Sequence, residues 1–117
     1  MVIEPREIAL DKEAIASLSQ IVGIMTDQVQ LAERHTRWDV EHLLDLDERL
    51  FSHEDGRPIV LGIDDAALLL EGMAFTEIMS VEFPWFEMVQ WTTDFVTTEL
   101  RQHWTQEQWE HYSLRDQ

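Results

Sequence analysis

The sequence predicts an all-α protein, a four- to five-helix bundle packed mostly antiparallel, with a long loop at about 53–63. Three observations predict this fold. Apolar residues recur at spacings of three and four over long stretches, which is typical of helices with one buried face. Capping residues and a proline mark the ends of these stretches. The short β-branched segment at 59–63 has no convincing partner strand, so a sheet is not expected.

The first helix is predicted over about 12–33. Asp11 is its expected N-cap, and the acidic Glu13 lies in its first turn. The apolar residues that follow form a seam with a period of 3.5 residues: Ile15, Leu18, Val22, Met25, Val29 and Ala32. Such a seam packs against neighbouring helices in a bundle, and it also joins two copies of a chain. A homodimer through the 12–33 seam therefore stays an alternative.

A second helix is predicted over about 36–52. Thr36 is a candidate cap, although one bent helix running on from the first is an alternative, since no Gly or Pro separates the two. The loop that follows carries the turn signals Asp55-Gly56 and Arg57-Pro58. Its β-branched end is expected to cross the bundle as an apolar strap.

The third helix, about 65–81, is expected to begin at an Asp64 cap. It is apolar on every side, which is typical of a central helix. Pro84 then ends it and starts a fourth helix over about 84–103, because proline is tolerated in a first turn. The expected core-facing residues of this helix cover half its circumference: Trp85, Met88, Val89, Trp91, Phe95, Val96 and Leu100.

A short fifth helix through about Tyr112 is predicted from the capping box that Thr105 and Gln108 form. Trp104, Trp109 and Tyr112 are expected to cover one end of the core. The length of 117 residues fits a single helical domain, 1–117, that buries a core without cross-links. There is no cysteine, which excludes disulfides and thiolate metal sites.

The charge balance excludes several classes of partner. The chain has 24 Asp plus Glu against 8 Lys plus Arg, a net charge of −16. We therefore expect no direct binding to nucleic acid or to anionic membranes, which require clustered basic residues. The N-terminus lacks a basic segment followed by an apolar one, and no apolar run is long enough to span a bilayer. A cytoplasmic protein is expected.

Acidic and aromatic residues concentrate in the same half of the chain. Residues 58–100 contain eight acids and no Lys or Arg, and nine of the eleven aromatic residues lie between Phe75 and Tyr112. Aromatic anchors within an acidic surface suit a basic protein partner. The sequence thus predicts a protein-binding module of the inhibitor, immunity or adaptor type. The expected partner-binding residues are Glu54, Asp55, Glu82, Glu87, Trp91 and Asp94.

Enzymatic activity is not expected, because the motifs of nucleotide-binding loops, nucleophile elbows and zinc hydrolases are missing. No cofactor is expected either. The alternative class is a helical-bundle enzyme with a carboxylate/histidine metal site, as in di-iron bundles. Its ligands would be acids on inward helix faces with one histidine: Asp47, Glu71, Glu99 and His103. The Glu-x-x-His pairs of such bundles do not occur in the sequence.

Overall fold

Five helices and two short strands make up the described part of the chain, residues 3–31, 38–54 and 56–115 of a computed structural model. The elements follow in the order β1 (Arg6–Ile8), α1 (Lys12–Leu31), α2 (Val40–Phe51), β2 (Ile59–Leu61), α3 (Ile63–Met79), α4 (Phe86–Gln102) and α5 (Gln106–Arg115). The predicted all-α bundle is confirmed.

Helix α1 begins where the sequence places it. The side chain of Asp11 caps it by accepting a hydrogen bond of 2.8 Å from the amide of Ala14. Its apolar seam is used within the chain, because α1 packs against α2, α3 and α4. The four seam residues Ile15, Leu18, Val22 and Met25 are buried, and Val29 packs against the same core. Ala32 lies outside the described residues.

Helix α2 is shorter than its prediction. It begins after Asp39, whose side chain accepts a hydrogen bond of 3.0 Å from the amide of Glu41. Thr36, the candidate cap, lies outside the described residues, as does the connection from α1. Leu43, Leu46 and Leu50 form the buried side of α2.

The loop prediction for 53–63 is wrong at its C-terminal end, because β2 occupies residues 59–61 there. β2 pairs antiparallel with β1, and Glu7 lies opposite Val60. Ile59 and Leu61 are buried while Val60 is exposed, so the segment does lie across the core as an apolar strap. Local sequence patterns missed the pairing because each strand has only three residues and the two are far apart in the chain.

Helix α3 is the central helix, in contact with α1, α4, α5 and β2. Its predicted start is wrong: the N-cap is Gly62, and Asp64 lies inside the first turn. Asp65 takes the capping role from within the helix, because its carboxylate accepts a hydrogen bond of 2.9 Å from the amide of Gly62. Gly72 allows α3 to approach α1 closely, next to Met25 and Ile21.

Helix α4 begins at Phe86, so Pro84 precedes it instead of lying in its first turn. The capping box of α5 is confirmed: Thr105 and Gln108 exchange side-chain to backbone hydrogen bonds of 2.9 and 3.1 Å. Trp104 is buried and contacts Trp109 edge-to-face, with ring centroids 5.5 Å apart. The aromatic cover at this end of the core is therefore as predicted.

Candidate functional site

The connection between α3 and α4 exposes a concentration of apolar side chains. Ten large apolar side chains are exposed in the described part of the chain, and seven of them lie between residues 78 and 91. They are Ile78, Met79, Val81, Phe83, Trp85, Met88 and Trp91. These seven side chains, together with Glu82 and Glu87, are called the 78–91 surface below. Exposed apolar patches with a polar rim are typical of interaction sites.

Hydrogen bonds hold the backbone of this connection in consecutive turns. The amide and hydroxyl of Ser80 both donate to the carbonyl oxygen of Thr76, at 2.9 and 2.6 Å. The amide of Phe83 donates to the carbonyl oxygen of Ser80 at 2.8 Å, and that of Phe86 donates to the carbonyl oxygen of Phe83 at 3.1 Å. Ser80 is buried, so the turns are anchored in the core while the apolar side chains beside it face solvent.

Ring stacking orders the aromatic side chains of the 78–91 surface. Phe83 and Trp85 stack with centroids 4.5 Å apart and planes 5° from parallel. Trp91 stacks on Phe95 at 5.6 Å, and Phe95 in turn packs against the core. Trp85 and Trp91 remain 45% and 44% exposed. Rings that are already ordered lose little conformational entropy when a partner covers them.

The charge on this part of the molecule is uniformly negative. Glu82, Glu87 and Asp94 are exposed, and none of them takes part in an ion pair within the described residues. Because residues 58–100 contain no Lys or Arg, no cation from the same segment offsets these carboxylates. Uncompensated acids of one sign produce a local field that attracts basic molecules and raises their association rate.

The structure brings most of the predicted partner-binding residues to one region. Glu87, Trp91 and Asp94 are spaced by four and three residues, so they share one exposed face of α4. Glu82 lies in the connection that precedes this helix. Glu54 belongs to a different segment, between α2 and β2, where it forms an ion pair of 3.1 Å with Arg57. Asp55 lies outside the described residues.

Three residues of the 78–91 surface, Trp85, Met88 and Trp91, were expected on the core-facing side of α4, and all three are exposed. The core-facing side of α4 is narrower than the apolar arc of its sequence. It consists of the buried residues Val89, Thr92, Val96 and Leu100. Sequence reasoning could have detected the wrong core assignment of Trp85 from its position next to Pro84. A side chain that precedes the first turn of a helix does not follow the helical periodicity by which the core-facing side of α4 was assigned.

A cleft lies beside the 78–91 surface, between α1, α3 and α4. Its volume is about 270 Å³. The side chains that line it come from all three helices or from the residue that caps α4: Ser17, Gln20, Ile21, Ile24, Thr76, Trp85, Met88 and Val89. Trp85 and Met88 belong to both features, so the cleft is continuous with the exposed apolar surface.

A buried carboxylate, Asp65, forms the most strongly connected polar group in the described part of the chain. Arg49 donates to both of its oxygens, at 3.0 and 2.8 Å. Nε2 of His42 lies 2.6 Å from Oδ1, and the amide of Gly62 donates to Oδ2. Burial by itself raises the pKa of Asp65, but these hydrogen bonds outweigh it and leave the pKa below its usual value.

His42, Asp64 and Asp65 are the one group of three potential metal ligands that converges within the described residues, with ligand atoms within 4.8 Å of one another. Asp65 already uses both oxygens to bind the guanidinium group of Arg49. A divalent cation there would be repelled by that guanidinium group and would have to displace it. The arrangement is therefore that of a structural ion pair.

The residues of the alternative metal site do not converge. Asp47 accepts a hydrogen bond of 3.4 Å from Ser19 of α1, and Glu71 accepts one of 3.1 Å from the indole of Trp38. The other two lie at the end of α4, where Glu99 accepts a hydrogen bond of 2.9 Å from Gln102 and His103 is the C-cap residue.

Comparisons with known proteins leave the site to be interpreted from its own chemistry: no family model, no curated protein and no solved structure matches this chain. Among the described helices, none combines the length and the apolar character that crossing a membrane requires.

Proposed function

We propose that this protein is a binding module of the inhibitor, immunity or adaptor type, which engages a basic protein through the 78–91 surface and Asp94. The observation that carries the proposal is the coincidence of seven exposed apolar side chains with carboxylates that form no ion pair within the described residues, in a segment that has no Lys or Arg. The apolar side chains would supply contact energy, and the carboxylates would select for positive charge.

The mode of action follows from the sign of the charge. A basic partner, such as a protein with a nucleic-acid-binding groove, presents Lys and Arg where phosphates bind. Glu82, Glu87 and Asp94 would occupy these positions with carboxylates, while Trp85 and Trp91 pack against apolar parts of the partner. Covering such a groove would block it, or would hold the partner until it is transferred. The carboxylates would also raise the rate at which a basic partner associates, by electrostatic steering.

The test compares two charge reversals of equal size on different faces. Glu87→Lys/Asp94→Lys changes the proposed surface, and Glu107→Lys/Glu110→Lys changes exposed residues of α5. Both variants shift the net charge by the same amount. Immobilised wild-type protein is first used to capture basic proteins from the source lysate at low salt, and the affinity of a captured protein is then measured against all three forms over a salt series.

We expect the α4 variant to lose affinity at least about tenfold and to show a weaker salt dependence, while the α5 variant stays within about threefold of wild type. Equal losses in both variants would mean that only the total charge matters, and undiminished binding by the α4 variant would exclude this surface. Either result would overturn the proposal. Thermal unfolding of both variants serves as the control for folding.

A further inference from the structure

We infer that the cleft between α1, α3 and α4 receives one large apolar side chain from the basic partner, flanked in that partner by Lys or Arg. The inference rests on the proposed function, since it assigns a partner chemistry to the same region. It differs from it in adding to the binding site the α1 residues that line the cleft and Thr76 of α3, none of which belongs to the 78–91 surface.

The size of the cleft selects the occupant. Pockets for cofactors and drug-sized ligands have volumes of roughly 300–1,000 Å³, whereas a cavity of about 150 Å³ holds a benzene ring. At about 270 Å³, this cleft lies at the lower edge of that range and has room for one leucine, phenylalanine or tryptophan side chain. An interaction anchor of this kind usually inserts in a pocket that neighbouring contacts close against water.

The walls have the composition of an anchor pocket. Ile21, Ile24 and Val89 provide aliphatic surface, and Met88 provides a side chain that adapts to the shape of its occupant. The hydroxyl of Thr76 is buried and has no hydrogen-bond partner within the described residues, so an occupant of the cleft does not reach it. The surface that an occupant meets is therefore mainly apolar, which suits a large apolar side chain.

Exposed acids lie beyond both ends of the cleft wall that α1 provides. On α1, Glu13 precedes Ser17 by four residues and Asp27 follows Ile24 by three, so both exposed acids lie on the helix face that lines the cleft. Glu87 does not contribute to the rim of the cleft, because residues one apart on a helix do not share a face and Glu87 lies on the side of α4 opposite Met88 and Val89. A segment docked along α1 therefore meets apolar surface at its centre and a carboxylate towards each end, which selects a large apolar residue between basic ones.

The probe is a synthetic peptide with one tryptophan between Lys and Arg residues, and its matched control has serine in place of the tryptophan. Two plugging variants, Gln20→Trp and Ile24→Trp, fill the cleft from α1 and leave every residue of the 78–91 surface unsubstituted. Leu44→Trp adds the same ring at an exposed position on α2 as a control. Peptide affinity is measured by calorimetry at low salt, and thermal unfolding identifies any variant that does not fold. Gln20 is exposed, so its substitution keeps the test usable if Ile24→Trp does not fold.

We expect each plugging variant to weaken binding of the tryptophan peptide at least about tenfold, the effect of losing one buried large side chain. The serine peptide should bind the wild-type protein more weakly by a similar factor and should not respond to the plugs, because the two changes remove the same contact. Leu44→Trp should bind both peptides as the wild type does.

The outcomes separate this inference from the proposed function. If the plugged proteins bind the tryptophan peptide as tightly as the wild type, or if the wild type binds neither peptide, the cleft assignment is overturned. If Glu87→Lys/Asp94→Lys binds a captured basic protein undiminished, the proposed surface is overturned instead. Weak binding by the plugged proteins together with normal discrimination by Leu44→Trp supports the cleft as the anchor site.

Discussion

Arg49 binds both carboxylate oxygens of Asp65: its Nη1 donates to Oδ2 at 3.0 Å and its Nη2 donates to Oδ1 at 2.8 Å. The pair joins the last turn of α2 to the first turn of α3, and Nη1 also donates to the carbonyl oxygen of Val60 in β2 at 3.3 Å. A planar guanidinium group matches this bidentate geometry in a way that a lysine ammonium group does not. Arg49 thus connects three elements at one point.

Removing the carboxylate of Asp65 is expected to destabilise the fold. Asp65→Ala should lower the free energy of unfolding by about 2–4 kcal/mol, because the half-buried Arg49 and the amide of Gly62 lose their acceptor. The neighbouring Asp64 is the matched control because it is exposed. Asp64→Ala should lower the free energy of unfolding by less than about 1 kcal/mol, since only the favourable interaction of the carboxylate with the helix dipole is lost. Denaturant unfolding at neutral pH measures both. Equal losses would show that Arg49 contributes nothing specific.

The lowered pKa of Asp65 predicts a stability change in acid. The carboxyl group of Asp65 has a pKa of about 3.9 in the unfolded chain and a lower pKa in the folded protein. The ionised carboxylate therefore contributes fully to the free energy of unfolding at pH values above the unfolded pKa. This contribution is lost as the pH falls through the folded value, because the unfolded chain then binds the proton more readily. Unfolding curves from about pH 2 to 6 should show an acid-dependent loss in the wild type that is smaller in Asp65→Asn. Parallel curves for the two proteins would contradict this.

The two glycines in helix interiors should respond to alanine in opposite directions. A Cβ at Gly72 would overlap Met25 Sδ and lie 3.2 Å from Cγ2 of Ile21, so Gly72→Ala should destabilise by about 1–3 kcal/mol. A Cβ at Gly23 of α1 meets nothing within 4 Å, so Gly23→Ala should stabilise by about 0.5–1 kcal/mol through helix propensity. Denaturant midpoints test the pair. A stabilising Gly72→Ala would mean that α1 and α3 are not in close contact there.

The hydroxyl of Thr92 is expected to weaken the core. Thr92 is fully buried on the core side of α4, and its hydroxyl has no hydrogen-bond partner in the described part of the chain. Thr92→Val keeps the shape and should raise the free energy of unfolding by about 1 kcal/mol, since an unsatisfied buried donor costs roughly that amount or more. Thr98 is the control, because it is exposed and its hydroxyl already donates to the backbone carbonyl oxygen of Asp94. Calorimetric melting should show no comparable gain for Thr98→Val.

The elements with a local signal could be predicted from sequence. The seam of α1, its Asp11 cap and the Thr105–Gln108 box depend on residues within a few positions of one another, and each is present in the structure. The start of α3 was misplaced because its N-cap is Gly62, which has no side chain that would signal a cap. The capping carboxylate comes from Asp65 inside the helix, and Arg49, a residue of α2 that is distant in sequence, also binds that carboxylate.

The candidate site was predictable in part. The uncompensated acids of 58–100 and the exposure of Glu87 and Asp94 followed from composition and from the polar helix face that they share, whereas Trp91 was assigned both to the core-facing side and to the binding residues. The exposure of Trp85 and Met88 could not be predicted, because the sequence around a proline turn does not indicate whether another element covers its apolar residues. The cleft was equally hidden, since residues from three helices form it.

The sequence by itself determined that this chain forms a helical bundle with an acidic, aromatic half, because helical periodicity and charge are properties of neighbouring residues. Only the tertiary structure decided which acids and aromatic rings remain exposed. It buried Asp65 against Arg49, left the 78–91 surface uncovered and opened a cleft beside Trp85. The physical reason is that the burial of a side chain depends on contacts between elements that are distant in sequence, and the periodic pattern of neighbouring residues does not reveal these contacts.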